Sequence, residues 1–396
     1  MFLLAAPIGV SGAMGLPLLA VAILLAWGAA RPSAPLTSRD WSGLLALLVC
    51  LLWYGASLAQ NRKPSALANF AEISVILAAG FAGRLWITGL TGPALALVQR
   101  AMIAAVAIFG LYLLIEIVGD MALQRELAPP ADADPRAARI ALQRNDHHAV
   151  VVYLALVWPA IALLYGAFRH AVAMFITILL AILIGAAWRL DFDAGLLSFA
   201  LGAPCFLLGY LLHARGLAIA WALAAALFAL SPLLGLFALR LDEAAFAAMP
   251  HSWEVRARMW ADIWPMILER PWFGWGFDAA RDLTEPTRLV RGHEWPLIIL
   301  HPHNNSMQIA LETGAIGLAL TIGALALNAV IAWRVGAISR LRAAATSATI
   351  GSLLAIGLTS YGVWQEWWLM TLGLAAMACA LVRPAKADPH LSQKAP

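Results

Sequence analysis

Uninterrupted apolar stretches of bilayer-spanning length, repeated along the chain, constrain this sequence more than anything else in it. A helix needs about 20 consecutive apolar residues to cross the hydrocarbon core of a membrane. No soluble core of this size can hide so many such stretches. Composition agrees: 62% of the 396 residues are hydrophobic and 12% are charged, against about 25% charged in a soluble domain. Every span is expected to be helical, because a lone strand leaves its backbone polar groups unpaired in hydrocarbon.

Hydropathy windows place the segments near 2–30, 42–58, 66–88, 95–118, 149–166, 171–187, 194–213, 216–238, 308–333, 343–362 and 366–382. In the first, Pro7, Ser11-Gly12 and Pro17 either kink one long helix or divide a hairpin, which gives 11–12 crossings. Met1-Phe2-Leu3-Leu4 lacks the basic stretch of a cleavable signal peptide, so this segment is expected to stay as a membrane helix. The expected fold is an all-α polytopic membrane protein in three parts. These are an N-terminal transmembrane bundle (1–238), a long polar loop containing an amphipathic helix (239–307), and C-terminal transmembrane helices with a short tail (308–396). Cys50, Cys205 and Cys379 fall inside apolar stretches and read as small core residues, not as disulfide partners or zinc ligands.

The net charge of +4 matters less than where the charges fall. Alternating the loops puts Arg31, Arg39, Arg84, Arg100, Arg169, Arg215, Arg334, Arg340, Arg342, Arg383, Lys386 and Lys394 on one side, with only Asp40 and Asp388 against them. Positive-inside bias assigns that side to the cytoplasm, although Arg62-Lys63 runs against the trend. Two polar loops then face outwards: 119–148, with Pro129-Pro130, Arg125, Arg136, Arg139 and Arg144, and the longer 239–303. Loops of this length without linker composition are usually functional. Within the longer one, Trp260, Ile263, Trp264 and Ile267 recur at helical spacing between Arg256, Arg258 and Asp262, which predicts an amphipathic helix over 255–268. Pro271 is expected to stop it and Gly274-Trp275-Gly276 to turn the chain.

The densest polar cluster is His301-Pro302-His303-Asn304-Asn305, where the long loop meets the next span. A neutral imidazole at a membrane surface suits general-base work near neutral pH, and Asn304 can cap the incoming helix. Two other readings fit the same residues. The histidines can simply decorate a polar helix start, or pair as metal ligands, for which two histidines two apart without nearby cysteine are weak evidence. Arginine supplies the second theme. Arg189 follows Trp188 at an outer helix end, Arg256 and Arg258 lie on the amphipathic helix, and Arg144 precedes a span. Guanidinium groups grip phosphates through paired hydrogen bonds, so a converging set suits a pyrophosphate. Each alone is as well explained by headgroup anchoring or a local pair, such as Asp191 or Asp193 for Arg189 and Glu254 or Asp262 for the helix pair. Most of the 17 tryptophans belong to interfacial belts. Glu72, Glu116, Glu312 and Glu366 lie towards outer span ends, where functional and solvated structural roles both fit.

In their order, these residues resemble the O-antigen ligases and their polymerase relatives. An Arg-x-x-x-Trp helix (Arg256 to Trp260) precedes a Pro-x-x-Gly-x-Gly turn (Pro271, Gly274, Gly276). A His-Asn-x-x-x-Gln-x-x-x-Glu-x-Gly-x-x-Gly run follows at His303, Asn304, Gln308, Glu312, Gly314 and Gly317, then Trp364-Gln365-x-x-Trp368. The resemblance covers roughly 252–370. It implies a GT-C-like membrane glycosyltransferase in the bacterial inner membrane with its active site facing the periplasm. Such an enzyme moves a glycan from undecaprenyl pyrophosphate to a sugar hydroxyl of lipid A–core oligosaccharide, with inversion and without a metal or other cofactor. His303 matches the family's essential histidine, Arg256 its long-loop arginine, and Arg189 the arginine of the preceding outer loop, where the family often has Ser-Arg and this chain has Trp-Arg. These three form the expected catalytic set, and Arg144, Arg258, His301, Asn304 and Glu312 the expected substrate-binding set. The expected partners are the lipid-linked glycan, lipid A–core and membrane lipids, with no nucleic acid. Polymerisation of lipid-linked glycans is the alternative within the class, and a lipid-linked glycan flippase the alternative outside it. A flippase would be expected to hold its key charges near the midplane.

Overall fold

The computed structural model describes residues 36–127, 135–167, 169–334 and 338–383, side chains at 127–141 and 166–171 excepted. The first apolar segment (2–30), Arg31, Pro129-Pro130, the side chains of Arg136, Arg139 and Arg169, and the tail with Lys386, Asp388 and Lys394 lie outside the described residues. The chain runs through α1 (Ser38–Ser57), α2 (Pro64–Gly89), α3 (Gly92–Val118), α4 (Ala122–Leu127), α5 (Pro135–Ala167), α6 (Arg169–Arg189), α7 (Ala194–Leu212) and α8 (Ala214–Leu230). The long loop holds α9 (Leu233–Ala238), α10 (Glu243–Ala248), α11 (His251–Glu269), a 3-10 turn at Ala279–Asp282, and strands β1 (Arg288–Val290) and β2 (His293–Trp295). Three helices close the fold: α12 (Asn305–Arg334), α13 (Arg340–Thr359) and α14 (Glu366–Leu381).

Among the described residues, 8 helices are long and apolar enough to cross a membrane, and two shorter apolar ones, α8 and α14, accompany them. The chain is therefore an all-α polytopic membrane protein. Its centre is α5, whose span is 89% buried. Residues from Ala149 to Ile161 are apolar all round, and a helix of that kind must be surrounded by protein or lipid; here protein surrounds it. The peripheral α1 and α12 have spans only 17% and 11% buried, as helices facing lipid should. Small residues let α7 lie against α13: a Cβ on Gly209 would come within 2.5 Å of the Ala343 carbonyl oxygen. The Ser352 hydroxyl ties the same interface by donating to the Ser198 carbonyl (3.0 Å) and accepting from the Trp158 indole (2.8 Å). All three cysteines are free and buried.

The long loop is a small folded cap with its own core, built from Met259, Trp260 and Ile263 of α11, Ala280, Leu297 and Ile298 of the loop, and Met307 and Leu311 of α12. The amphipathic helix runs His251–Glu269, longer than its sequence pattern, and stops just before Pro271. The break in α12 fixes the cap to the bundle. At Gly314 the backbone takes φ +67° and ψ −171°, a region essentially confined to glycine. Ala315 N–H donates to the Pro271 carbonyl (2.7 Å) instead of continuing the helical ladder. The carbonyls of Leu311 and Glu312 accept instead from Trp275 N–H (2.9 Å) and Gly276 N–H (2.8 Å). The Trp53 indole of α1 donates to the Thr313 carbonyl (3.1 Å). The two glycine motifs of the sequence are thus partners in one joint.

Four expectations need correction. The segment 216–238 is not one span: Pro232, which has no N–H to continue the ladder, separates α8 from α9. The 119–148 stretch is largely helical, holding α4 and the first turns of α5. The all-α chain also carries one minimal hairpin, in which Val290 pairs with His293 across Arg291-Gly292. Both turn residues have positive φ (48° and 80°), as a two-residue hairpin turn of this hand requires. Finally, no ion pair of Arg189 with Asp191 or Asp193 forms among the described residues; its guanidinium lies 4.9 Å from the Trp188 ring.

Candidate active site

One end of the bundle gathers the α6–α7 turn, the cap and the α13–α14 turn, and the site lies where they meet. His303 occupies the last turn before α12, with φ +55°, a strained conformation of the kind that clusters at functional sites. Its neighbours fix it on both sides. The Trp260 indole of α11 donates to the Pro302 carbonyl (2.7 Å). Asn304 caps α12 by accepting from Met307 N–H (3.0 Å) and donates to the Ser231 hydroxyl (2.6 Å).

The hydrogen bonds settle the state of both imidazoles. His303 Nδ1 lies 2.6 Å from the Ser360 carbonyl oxygen. A carbonyl only accepts, so Nδ1 carries the proton and Nε2 keeps its lone pair. His303 N–H donates to His301 Nδ1 (3.2 Å), which places the His301 proton on Nε2. The two rings are 4.3 Å apart. Burial first, then the charge of Arg256, lower the His303 pKa to about 4, against the pull of the Ser360 carbonyl. His301 is held well below its ordinary value by burial, by His303 and by the charges of Arg281 and Arg256. Both histidines are therefore neutral near neutral pH.

Arg256 reaches in from α11. Its Nη1 touches the Ser252 carbonyl at 3.3 Å and its plane lies 5.5 Å from the Trp253 ring. Its Nε–H is buried with no hydrogen-bond partner among the described residues. A buried guanidinium donor left unmatched is costly, and an anion at this place would satisfy it. Burial lowers its pKa while Tyr361 and Asp193 pull it up. Beside it opens a small cavity of about 20 Å³ lined by Asp191, Asp193, Ser252, Trp253, Arg256 and Thr359.

The other expected site residues divide. His301 and Asn304 belong to the His303 turn. Arg189 and Arg144 are exposed; Arg189 ends α6 two residues before Asp191 at the cavity rim, and Arg144 lies on α5 three residues before His147. Arg258 points away, donating to Glu243 (2.9 Å) and to the buried Glu254 (3.1 Å), which also accepts from Arg291 (2.7 Å). It holds the cap together. Glu312 is fully enclosed. Its oxygens accept from Asp278 N–H (3.0 Å), Ala280 N–H (3.1 Å), the Gln308 amide (3.0 Å) and the Trp364 indole. With its acceptor positions taken, it fastens the cap to α12 and to the α13–α14 turn. Glu312 therefore has no free oxygen to offer a substrate in this arrangement, and the guanidinium of Arg258 is engaged at all three nitrogens by carboxylates of the cap.

Sequence reasoning missed four neighbours. His147 donates Nε2–H to the Leu190 carbonyl (2.6 Å) and stacks on Phe192 (4.7 Å), the cavity residue between Asp191 and Asp193. His148 stacks on Trp367 (4.0 Å). Tyr361 follows Ser360, the residue that fixes the His303 tautomer. Arg281 pairs with Asp278 (2.9 Å), which itself accepts from Asn69 of α2 (2.9 Å). The signal for the first two was present: Asn145-Asp146-His147-His148 is a polar run fused to the most apolar span of the chain.

Residues 148–322 match the family model described as O-antigen ligase. Over 240 residues the chain is 30% identical to a Rickettsia felis protein named "Putative polysaccharide ligase", covering 57% of this chain and 56% of that one. A Rickettsia conorii protein of the same description is 27% identical over 242 residues, 57% of this chain and 55% of its own. One from Rickettsia typhi is 32% identical over 148 residues, 36% of each chain. The chain thus matches from about a third to little more than half of the length of these relatives. The family match takes in Arg189, Arg256, His301 and His303.

Proposed function

We propose that this chain, whose residues 148–322 match the O-antigen ligase family model, acts as a ligase of that kind and transfers a glycan from undecaprenyl pyrophosphate to a sugar hydroxyl of lipid A–core. The observation that carries this reading is the pairing of one imidazole with one guanidinium. His303 offers a free Nε2 lone pair, and near enough to act on it electrostatically lies half-buried Arg256 with a buried, unmatched donor.

In the proposed step, the acceptor hydroxyl oxygen bonds to the anomeric carbon while its proton passes to His303 Nε2. The bond from the anomeric carbon to the diphosphate oxygen breaks, and its electron pair leaves with the diphosphate. One displacement inverts the anomeric configuration. Arg256, with Arg189 at the rim, meets the charge that builds on the diphosphate, so the cationic role falls to guanidinium groups and the proposed transfer is metal-independent. Binding also sharpens the base. A diphosphate against Arg256 offsets the guanidinium charge that helps depress His303, so the imidazole gains basicity when the donor is in place.

The inner membrane, with the site facing the periplasm, is the proposed location; the one-sided Lys/Arg distribution supports it. Polymerisation would use the same base with a lipid-linked glycan as acceptor. A flippase is less well supported, because the unmatched arginine and the histidines sit at the rim of the bundle and not at its midplane. The test supplies the purified protein in liposomes with undecaprenyl-pyrophosphate-linked glycan and lipid A–core together. Glycan-bearing lipid A–core supports the proposal. Lengthened lipid-linked glycan alone would make the protein a polymerase, and no transfer from verified lipids would sink both readings.

A further inference from the structure

We propose that Tyr361 is a further catalytic residue, whose hydroxyl donates a hydrogen bond to the departing diphosphate alongside Arg256. This rests on the glycan-transfer reading and extends its machinery to the turn between α13 and α14. The turn already serves the base, since the Ser360 carbonyl holds the His303 proton on Nδ1 (2.6 Å). The next side chain is Tyr361, 8% exposed. Aromatic groups enclose its ring: Trp367 meets it edge-on at 4.7 Å, His148 at 5.5 Å, and Trp368 lies stacked at 6.3 Å. Such packing fixes the ring in place.

The hydroxyl, unlike the ring, is unengaged. It makes no hydrogen bond to a described residue, and it is absent from the fully enclosed polar atoms that lack one. The enclosed ring leaves the hydroxyl end as the part still open. The guanidinium of Arg256 is close enough for its charge and the phenol to act on each other. Thr359, two residues earlier, lines the cavity that Arg256 lines. Burial raises the phenol pKa, so the group stays protonated and donates. A cation with an unmatched Nε–H and a neutral donor without a described hydrogen-bond partner suit an oxygen that gains charge only as the glycosidic bond breaks.

Tyr361→Phe tests this, because phenylalanine keeps the ring and its aromatic contacts and removes only the hydroxyl. The expected result in the liposome transfer assay is a fall in kcat of about 10²-fold. The acceptor KM and the unfolding temperature in detergent stay at wild-type values. A phenylalanine variant with wild-type kcat, or one that raises only the acceptor KM, overturns the proposal. The wild-type protein run alongside separates the two failures. If it moves no glycan, the transfer reading fails and this role falls with it; if it does and the variant matches it, only the role of Tyr361 is lost.

Discussion

Substituting alanine for Gly314 should unfasten the cap from the bundle. The glycine sits at φ +67° and ψ −171°, where an L side chain costs about 1–3 kcal/mol. An added Cβ would also run into the backbone of the α11–Gly274 turn, with the Phe273 nitrogen only 2.6 Å away. Relieving that clash moves the turn and weakens the three backbone hydrogen bonds that cross the joint (2.7, 2.8 and 2.9 Å). Each contributes about 1 kcal/mol net. The combined loss is about 3–5 kcal/mol, concentrated at one joint. Gly323 lies on the same helix with nothing within 4 Å of its Cβ position, so alanine there should be neutral or stabilise by up to about 1 kcal/mol. Thermal unfolding in detergent, with limited proteolysis of residues 239–303 as a second readout, compares the two variants. Gly314→Ala should unfold several degrees lower and lose protease resistance in the cap, while Gly323→Ala keeps both. An alanine at 314 that leaves Tm and protease resistance unchanged would refute the joint as the fastening point.

Three further predictions follow from the site. Arg256→Ala should lower kcat by about 10²-fold or more while changing Tm little, because among the described residues the guanidinium makes one long hydrogen bond and a cation–π contact within its own helix; transfer assays and thermal unfolding on one preparation check both halves. Arg258→Ala should do the reverse, costing about 1–3 kcal/mol by stripping one partner from the buried Glu254, with kcat near wild type. The rate should also respond to acid in one direction only. The proposed base is the neutral form of His303, whose pKa is lowered to about 4, and so kcat/KM should stay flat from pH 7 down to about 5 and decline below it. The kcat profile should break at a higher pH, because bound diphosphate offsets Arg256. Coincident breaks near the ordinary histidine value of about 6.5 would contradict the buried, arginine-flanked geometry.

Much of this fold was legible because lipid leaves few choices. Each apolar run had to be a helix, and apart from α5, which starts at Pro135 well ahead of its apolar run, the spanning helices of the described residues begin and end close to where hydropathy placed them. The differences arise where local chemistry overrides hydropathy. Thr37 and Asp40 form a capping box that starts α1 earlier than its apolar run, and Pro232 cuts a run that looks continuous. The break at Gly314 was invisible because its cause lies in a distant turn: a glycine within an apolar helix reads the same whether or not Pro271 awaits its neighbour. The site was legible in part. His303 and Arg256 stood out as polar groups in a recognisable order. Glu312 stood out equally and turned out to hold the cap, because sequence order does not reveal which acceptors are already occupied. His147, His148 and Tyr361 were hidden by reading spans as spans, where polar and aromatic residues at helix ends look like an interfacial belt until three separate ends meet.

The central claim is that the free Nε2 of His303 takes the acceptor's proton during glycan transfer. The most direct measurement is transfer from undecaprenyl-pyrophosphate-linked glycan to lipid A–core by the purified protein and by His303→Ala, in liposomes with chelator present. The account predicts a ladder of glycan-bearing product from the wild type, and its absence from a variant that still folds and still binds the lipid-linked donor. A ladder of equal intensity from the alanine variant would contradict it, whatever else the protein proved able to do.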